Sequence, residues 1–417
     1  MRDRLLLLLT AAVVAVVLAG YAWAAPQGAS YKHIQFGLTA VSPAGAPAFL
    51  KSIDPTSRLG RVVAGYYQAR AKTFLRNRLI GFDRLMLSYS DLITGANRWF
   101  YATVLPDQSV VPVGVDSSEV FLDKAEDSLV YLTLGSDAQL QLEKVNAADA
   151  GSLVRSFPGV NFAYYGVTSW TMTDRAKQAG YRDPAAEAWV SFARDVQPGS
   201  AAGSLAVADW SDVFFRTDHH WVPPGAYQGY LDVMQLLSRR NPRIGAARLP
   251  FGERTVPGVD FRGANARRAA YLPISEPFRV LTTRDPAVHA YLNGKLKDSL
   301  IAPADPFAKA SNALFLNHYA RYNGQDYPLI EYRTGRTGAG NLLLFADSFS
   351  NSMDDLVASH FGTTYKVDLR HFQPETGKPF DIAAFITDHA ITDVLFMGRP
   401  VRVMSMPTAL RTKRPIL

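Results

Sequence analysis

Apolar and polar positions change period several times along the chain, and the clearest pattern lies in the C-terminal third. A continuous apolar run at 341–346 has the length of a buried strand, and 363–369 and 392–398 are also predicted to be strands. Apolar residues at helical spacing over 353–360 and 378–390 separate these segments. Strands that alternate with helices in this way pair in parallel through right-handed crossovers. The C-terminal third is therefore predicted to be a doubly wound α/β unit.

The middle of the chain has the same alternation. The runs at 129–135 and 160–167 predict strands, and the segments 139–156, 171–180 and 184–196 predict helices. Together with the C-terminal third, they predict one parallel sheet covered by helices on both faces.

Other segments follow different patterns. An amphipathic helix or helix pair is predicted over 57–92, and strands are predicted at 98–105 and 109–115. Residues 240–340 lack clean alternation and are rich in Pro, Gly and Arg, with one helix predicted near 286–297. We interpret 240–340 as an insertion or subdomain that decorates the sheet.

Residues 1–24 have the pattern of a secretory signal peptide. Arg2 and Arg4 precede an apolar run, and small residues around Ala24 favour cleavage there. An uncleaved anchor is the alternative, because the run approaches the ~18 residues that a membrane-spanning helix needs. In both cases this segment engages the membrane at least transiently and the rest is exported, to the periplasm or the cell envelope. Residues 25–56 form an irregular lead, and 57–417 form the α/β domain.

The amino-acid composition excludes several kinds of site and partner. Apolar residues make up 48% of the chain, which is ample for a large core. Cysteine is absent, which excludes disulfides, zinc-thiolate sites and cysteine nucleophiles. The net charge of +7 is compatible with a polyanionic partner, but the basic residues are scattered and the chain is predicted to be exported. We therefore expect no nucleic-acid partner.

Ser348 follows the apolar run 341–346 and precedes a predicted helix. A tight turn between a strand and a helix lifts a serine hydroxyl out of the sheet and points backbone N–H groups at a developing oxyanion. Asp347-Ser348 could equally serve as an ordinary helix cap. The pattern alone leaves both interpretations open.

The sequence TDHHW offers partners for such a serine. The segment 212–221 is predicted to be a strand that runs into a loop, directly before a helix that Pro223 and Pro224 open. Residues 218–221 then lie between the strand's carboxyl end and the helix's amino end, where ligands bind in α/β sheets. In extended backbone, Asp218 and His220 lie on one side and His219 points to the other. A histidine held by a carboxylate can act as general base, although a polar loop is the alternative. Trp221 is interpreted as a core residue or a pocket wall, and a platform for a sugar ring is the alternative.

Asp218, His219 and His220 also permit a metal site, similar to that of the DHH-family phosphoesterases, which act with manganese. Those enzymes carry further acidic motifs, and no convincing Asp-x-Asp partner occurs here. The remaining histidines have no ligand-like spacing. We therefore predict no metal and no cofactor.

The order of several blocks resembles the bacterial DHHW family, which is similar to the SGNH-hydrolase-like domains of periplasmic alginate O-acetylating proteins. The resemblance covers roughly residues 57–400. Its blocks are TDHHW, FRGAN (261–265), NHYARYNGQDYPLIEY (317–332), LLLFADSFSNSM and YKVDLRHF (365–372).

This resemblance implies an SGNH-like doubly wound fold with Ser348 as nucleophile, His220 as its base and Asp218 as the orienting carboxylate. Arg370 falls where an arginine would bind an oxyanion or a substrate carboxylate, with a surface salt bridge as its alternative role. Asn351 is a candidate oxyanion donor, as are Asn317 and Asn323.

The expected function is that of an exported serine-dependent acyl esterase or O-acetyltransferase, acting on a cell-envelope or secreted polysaccharide. The sequence does not decide between hydrolysis and transfer, and transfer would require a membrane partner that delivers the acyl group. A non-catalytic glycan-binding protein and a metal-dependent phosphoesterase are the alternatives.

Overall fold

The computed structural model describes residues 82–413 with internal gaps. The gaps are 104–107, 114–119, 132–136, 182–183, 197–199, 205–206, 208–209, 246–248, 270, 301–315 and 323–324. The signal segment 1–24, the lead 25–56 and most of the helix predicted over 57–92 lie outside the described residues. The chain divides into two units, Met1–Arg98 and Trp99–Leu417. None of the described helices is long and apolar enough to cross a membrane.

The described helices and strands are numbered in chain order. The helices are α1 Phe82–Thr103, α2 Asp137–Ser156, α3 Asp174–Gln178, α4 Pro184–Val196, α5 Trp210–Val213, α6 Pro223–Ser238, α7 Ala264–Arg268, α8 Asp354–Ala358, α9 Leu369–Thr376, α10 Ile382–Asp388 and α11 Pro400–Thr412. The strands are β1 Val110–Pro112, β2 Val120–Asp123, β3 Ser128–Tyr131, β4 Asn161–Gly166, β5 Ala201–Ser204, β6 Glu253–Phe261, β7 Glu276–Leu281, β8 His289–Leu292, β9 Lys295–Leu296, β10 Leu329–Arg333, β11 Asn341–Ala346, β12 Thr363–Val367 and β13 Ile391–Gly398.

The main sheet has eight strands in the order β5-β4-β13-β11-β12-β10-β8-β9. The first five are parallel to one another, and β10, β8 and β9 continue the sheet in antiparallel pairing. β11 therefore lies inside the parallel part, between β13 and β12. This α/β sheet with helices on both faces confirms the predicted SGNH-like fold class.

Alternate residues of each central strand face opposite cores. In β11, Leu342 and Leu344 pack with α6 and α8, whereas Leu343 and Phe345 pack with α2, α4, α10 and α11. A strand buried on both faces has no polar positions to alternate, which is why these strands are continuous apolar runs in the sequence.

The region 240–340 contributes strands to the main sheet. The helix predicted near 286–297 is wrong, because β8 and β9 form a hairpin there. Asn293 and Gly294 connect the two strands with φ values of 51° and 73°. Asn-Gly is the preferred pair for a hairpin turn with positive φ at both positions, so the sequence carried a signal for this turn. β6 and β7 pair separately as a two-stranded sheet.

The strand predicted at 98–105 is also wrong, since α1 continues to Thr103. Trp99 is 61% exposed and Phe100 is 42% exposed, so these aromatic residues are not the buried positions of a strand. An apolar run of this length fits either element, and its period alone does not decide between them.

Candidate active site

Ser348 lies at the carboxyl edge of the parallel strands, two residues beyond the end of β11. The turn that carries it is tight: the Asp347 side chain accepts a hydrogen bond from the Phe349 N–H at 3.1 Å, and its carbonyl accepts from the Ser350 N–H at 3.2 Å. Gly398, at the end of β13, has a φ of 149°, and a Cβ there would lie 3.2 Å from the Asp347 carboxylate. The adjacent strand can approach the turn because this residue is glycine.

The TDHHW segment lies in a compact loop, but the strand predicted to lead into this loop is wrong. α5 ends at Val213, and Phe214 pairs with Trp221 in an isolated antiparallel bridge. The bridge is flanked by a hydrogen bond from the Phe215 N–H to the His220 carbonyl at 3.0 Å. The chain between them reverses direction, so the loop and not a pleated strand sets the side-chain directions.

This loop brings Asp218 and His220 together with Ser348. His220 Nδ1 lies 2.8 Å from Asp218 Oδ1, and His220 Nε2 lies 2.9 Å from Ser348 Oγ. Asp218 is 1% exposed and His220 is 6% exposed, so solvent does not compete for these contacts. If Asp218 is ionised, it can only accept, so Nδ1 carries the proton and Nε2 accepts the Ser348 hydroxyl. This is the arrangement that a serine nucleophile and its general base require.

The electrostatics favour an ionised Asp218. Burial raises the pKa of its carboxyl, but the His220 and His219 rings when protonated, the hydrogen bond from His220 and the charge of Arg267 together lower it below its ordinary range. Its Oδ1 also accepts from the backbone N–H groups of His219 at 2.7 Å and His220 at 3.2 Å. Hydrogen bonds to the charged form stabilise it, so the carboxylate can hold one histidine tautomer.

The FRGAN block (261–265) forms hydrogen bonds to the loop that carries Asp218. Asp218 Oδ2 accepts a hydrogen bond from the Ala264 N–H at 2.8 Å, and the Gly263 N–H donates to Thr217 Oγ1 at 3.0 Å. A Cβ on Gly263 would lie 2.3 Å from the Cβ of Asp218, which no real contact allows. Glycine at 263 is therefore required for the two loops to approach each other.

His219 does not point away from the pair, contrary to the prediction. Its ring centroid lies 4.1 Å from that of His220, and its Nδ1 lies 3.2 Å from Asp218 Oδ1 without forming a hydrogen bond. Burial lowers the pKa of His219 well below its usual range, and the charge of His220 lowers it further. His219 is therefore a neutral neighbour of the Asp218–His220 pair near pH 7.

Tyr319 fixes the plane of the His220 ring. The two rings are stacked, with centroids 3.7 Å apart and an interplanar angle of 10°. The Tyr319 hydroxyl donates to Ser352 Oγ at 3.3 Å, and the same oxygen accepts from the Trp221 indole N–H at 3.0 Å. Tyr319 lies in the block 317–332, but nothing in the local sequence indicates that its ring stacks on a residue 99 positions away.

Replacement of Tyr319 by leucine is expected to lower kcat for ester hydrolysis by about 10-fold with little change in KM, because aromatic stacking is worth about 0.5–1.5 kcal/mol. Tyr319→Phe keeps the ring and should retain most of the activity. Tyr322→Leu is the matched control, since Tyr322 is buried on the same turn and does not stack on His220. Steady-state kinetics on samples of matched folded fraction would contradict this role if Tyr319→Leu and Tyr322→Leu lost activity equally.

Arg370 and Asn351 belong to a network of ion pairs and hydrogen bonds. The Arg370 Nε lies 2.9 Å and 3.0 Å from the two Asp368 oxygens, and its Nη2 lies 3.0 Å from Asp326. The Asn351 amide donates to Asp326 at 3.2 Å, and its oxygen accepts from Lys366. Burial lowers the pKa of Arg370, but the hydrogen bond and charge of Asp368 outweigh it and raise the pKa.

These contacts favour the salt-bridge role for Arg370. The Asn351 oxygen and one of its two amide hydrogens are already bonded, so this side chain is not a ready oxyanion donor. Asn317 accepts from the Ala320 N–H at 3.3 Å, and Asn323 lies outside the described residues.

By contrast, the Ser348 backbone N–H has no acceptor within the described part of the chain. It is the oxyanion donor that the geometry offers.

Trp221 is a core residue. It is 1% exposed, its ring meets Phe349 edge to face at a centroid distance of 6.1 Å, and its N–H is bonded to Ser352. A ring covered to this extent offers no face to a sugar, so the predicted role of Trp221 as a sugar platform does not fit the structure.

Among the residues that the structure describes, two groups of three side chains have ligand atoms close enough to share a metal ion. In the first, Asp218, His219 and His220, both ring nitrogens of His220 already face protein partners. In the second, Asp326, Asp368 and His371, the Arg370 guanidinium already lies between the two carboxylates. A cation at either place would have to break these contacts, so neither donor set fits a metal site.

The fold and the site together define a class: α/β proteins in which a serine at the edge of the central parallel strands meets a histidine and an aspartate from a separate loop. Solved structures share this fold. The structure resembles Bacillus cereus PatB1 with a sulfonyl adduct, with a TM-score of 0.54 and 18% identity over 69% of this chain and 97% of that chain. It also resembles a DHHW family protein from Eubacterium siraeum, with a TM-score of 0.52 and 18% identity over 73% of this chain and 100% of that chain.

The structural neighbours thus include a DHHW family protein, as the TDHHW block predicts. A second structure of B. cereus PatB1 matches with a TM-score of 0.51 and 19% identity over 66% of this chain and 94% of that chain. No protein-family model and no curated protein matches the sequence.

Proposed function

We propose that this protein is an exported serine-dependent acyl esterase or O-acetyltransferase that acts on a cell-envelope or secreted polysaccharide. The observation that carries the proposal is the hydrogen-bonded row formed by the buried Asp218 and His220 and the half-buried Ser348. Such a row has a specific chemical use in acyl transfer, whereas a glycan-binding protein would gain nothing from an aligned and desolvated base.

The geometry supports a two-step reaction. His220 Nε2 takes the proton of Ser348 as Oγ attacks the ester carbonyl, and the Asp218 carboxylate stabilises the imidazolium that forms. The Ser348 backbone N–H donates to the oxyanion. His220 then returns the proton to the departing alcohol oxygen, which leaves an acyl group on Ser348. In the second step, water or a sugar hydroxyl gives its proton to His220 and attacks the acyl carbonyl. The bond from the acyl carbon to Ser348 Oγ then breaks, and His220 returns the proton to Oγ.

The acceptor in the second step separates an esterase from a transferase. Water suffices as the acceptor for hydrolysis. Transfer to a glycan also requires a donor of the acyl group, and we propose that a membrane partner supplies that donor outside the cytoplasm. Export rests on the signal pattern of residues 1–24. The resemblance in sequence blocks to O-acetylating periplasmic proteins favours an acetyl group over longer acyl chains.

Acetate release from a chromogenic acetyl ester, measured with and without a chelator, tests this proposal. We expect the mature chain to release acetate at the same rate in both samples, because both ring nitrogens of His220 are bonded within the row. Activity that a chelator abolishes would indicate a metal-dependent phosphoesterase instead. Binding of acetylated polysaccharide without acetate release, with or without an added sugar acceptor, would support the glycan-binding alternative.

A further inference from the structure

Arg399 follows the end of β13, beside Ser348 at the carboxyl edge of the main sheet. β11 and β13 are parallel neighbours, and Ala346 is paired with Met397. Ser348 lies two residues beyond Ala346, and Arg399 lies two residues beyond Met397. The two residues therefore emerge side by side at the carboxyl edge of adjacent parallel strands, where ligands bind in open α/β sheets.

The guanidinium of Arg399 lies over aromatic rings that border the site. Its central carbon is 5.8 Å from the centroid of Phe349, the residue after Ser348, and 5.0 Å from the centroid of Tyr131. Phe349 in turn contacts the His220 ring, at a centroid distance of 5.2 Å. The Arg399 carbonyl accepts from the Arg402 and Val403 N–H groups, but within the described residues its guanidinium makes no hydrogen bond and no ion pair of salt-bridge length. Its five donor hydrogens therefore have no protein acceptor there.

Positive charge exceeds negative charge around Arg399. Arg402 Nε lies 3.6 Å from Asp347, and the Arg402 Nη1 is buried without a hydrogen-bond partner. Arg268 lies over the same Tyr131 ring, at 5.7 Å. Burial lowers the pKa of Arg399, Asp347 partly offsets that effect, and the charges of Arg402 and Arg268 lower it further.

Arg399 is half-buried, and a guanidinium with free donors beside the nucleophile can form charge-assisted hydrogen bonds to a bound anion. We propose that Arg399 binds an anionic oxygen of the acyl substrate held at Ser348. This inference rests on the proposed acyl-transfer function and adds a group that sequence reasoning did not consider. The anionic oxygen has two chemical sources: the oxyanion that forms on the ester carbonyl, or a carboxylate that the substrate already carries.

Kinetics with two acetyl esters separates the sources. The esters are 4-nitrophenyl acetate and its analogue with a carboxylate on the ring, and the enzymes are wild type, Arg399→Gln, Arg399→Lys and Arg411→Gln. If Arg399 binds the oxyanion, Arg399→Gln should lower kcat about 100-fold for both esters. If it binds a substrate carboxylate, KM should rise about 10-fold for the carboxylated ester alone.

The other two variants are controls. Arg411 lies on the same helix as Arg402 and pairs with Asp149 far from Ser348, so Arg411→Gln should match wild type with both esters. Arg399→Lys keeps the charge but loses the planar fork, so its loss should be smaller than that of Arg399→Gln. If Arg399→Gln matches wild type on both esters while the activity depends on Ser348, the inference is overturned.

A second measurement does not depend on catalysis. Acetate, the product of the proposed reaction, is titrated into ¹⁵N-labelled protein while the arginine side-chain signals are followed by NMR. We expect one Nε–Hε signal to shift with acetate, and that signal to be missing in Arg399→Gln and present in Arg411→Gln. If the protein hydrolyses neither ester but binds acetate through Arg399, the acyl-transfer function fails and the anion site stands. If no signal assigned to Arg399 responds in a protein that hydrolyses neither ester, both fail.

Discussion

Ser348→Ala is expected to reduce the release of acetate from an acetyl ester by 10⁴-fold or more, which is the order of loss when a nucleophile is removed from a catalytic triad. The alanine leaves the His220 Nε2 without the hydroxyl that it contacts at 2.9 Å, and no covalent intermediate can form. The measurement is the steady-state rate with a chromogenic acetyl ester at saturating concentration, compared with wild type at the same folded concentration.

Ser350→Ala provides the control for Ser348→Ala. Ser350 lies two residues further along the same turn, is buried, and donates its hydroxyl to the Asp347 carbonyl at 3.2 Å. Its loss should cost some stability through one hydrogen bond, about 1 kcal/mol, while the rate per folded molecule stays near wild type. Equal rates for wild type and Ser348→Ala would rule out Ser348 as the nucleophile.

Asp218→Asn is expected to lower kcat by about 10⁴-fold while the protein stays folded, as the loss of the orienting carboxylate does in a serine triad. The asparagine amide would donate to His220 Nδ1, so the ring would adopt the other tautomer and present an N–H to Ser348. The imidazolium formed during attack would also lose its counter-charge.

The same substitution should change the pH dependence of stability. Because the folded-state pKa of Asp218 lies below its unfolded value, the carboxylate contributes stability above the unfolded pKa, which is about 4. That contribution is lost as the pH falls below this value towards the folded pKa. Asp212→Asn, at an exposed position on α5, is the control and should change neither kcat nor the acid limb of stability. If Asp218→Asn keeps a kcat near that of the wild type, His220 acts as a base without the Asp218 carboxylate, and the predicted role of Asp218 is wrong.

The central strands could be predicted from sequence because each is buried on both faces. The segment NLLLFA can only be a buried strand or a short buried helix, and its length decides for a strand. The hairpin of β8 and β9 was missed because a helix was assigned over a segment whose Asn293-Gly294 pair already indicates a turn. The extension of α1 to Thr103 was missed because aromatic residues favour strands in general, and exposure on a helix leaves no signal in the sequence.

Asp218 and His220 were selected for a reason that the structure does not bear out. A pleated strand would put both on one side, but a loop closed by the Phe214–Trp221 bridge does so here. That bridge links residues seven positions apart, and local pattern gives no indication of it. The same loop explains why His219 lies against His220, where extended backbone would separate their side chains.

Arg399 and Tyr319 could not be found from local pattern because their roles depend on long-range order. The position of Arg399 beside Ser348 follows from the pairing of β11 with β13, and a sequence with two β-α repeats does not reveal which strands are neighbours. Tyr319 reaches His220 from a connection between strands. Both residues are visible only once the sheet order is known.

Covalent labelling of the nucleophile is the most direct test of the proposed acyl-enzyme chemistry. The protein is incubated with a sulfonyl fluoride, or quenched during turnover of an acetyl ester, and intact mass and peptide mapping locate the adduct. We predict a single adduct on Ser348 in the wild type, a much slower reaction in Asp218→Asn, and no adduct in Ser348→Ala. Equal labelling of wild type and Ser348→Ala, or an adduct on another residue, would contradict the assignment of Ser348, His220 and Asp218 as the catalytic row.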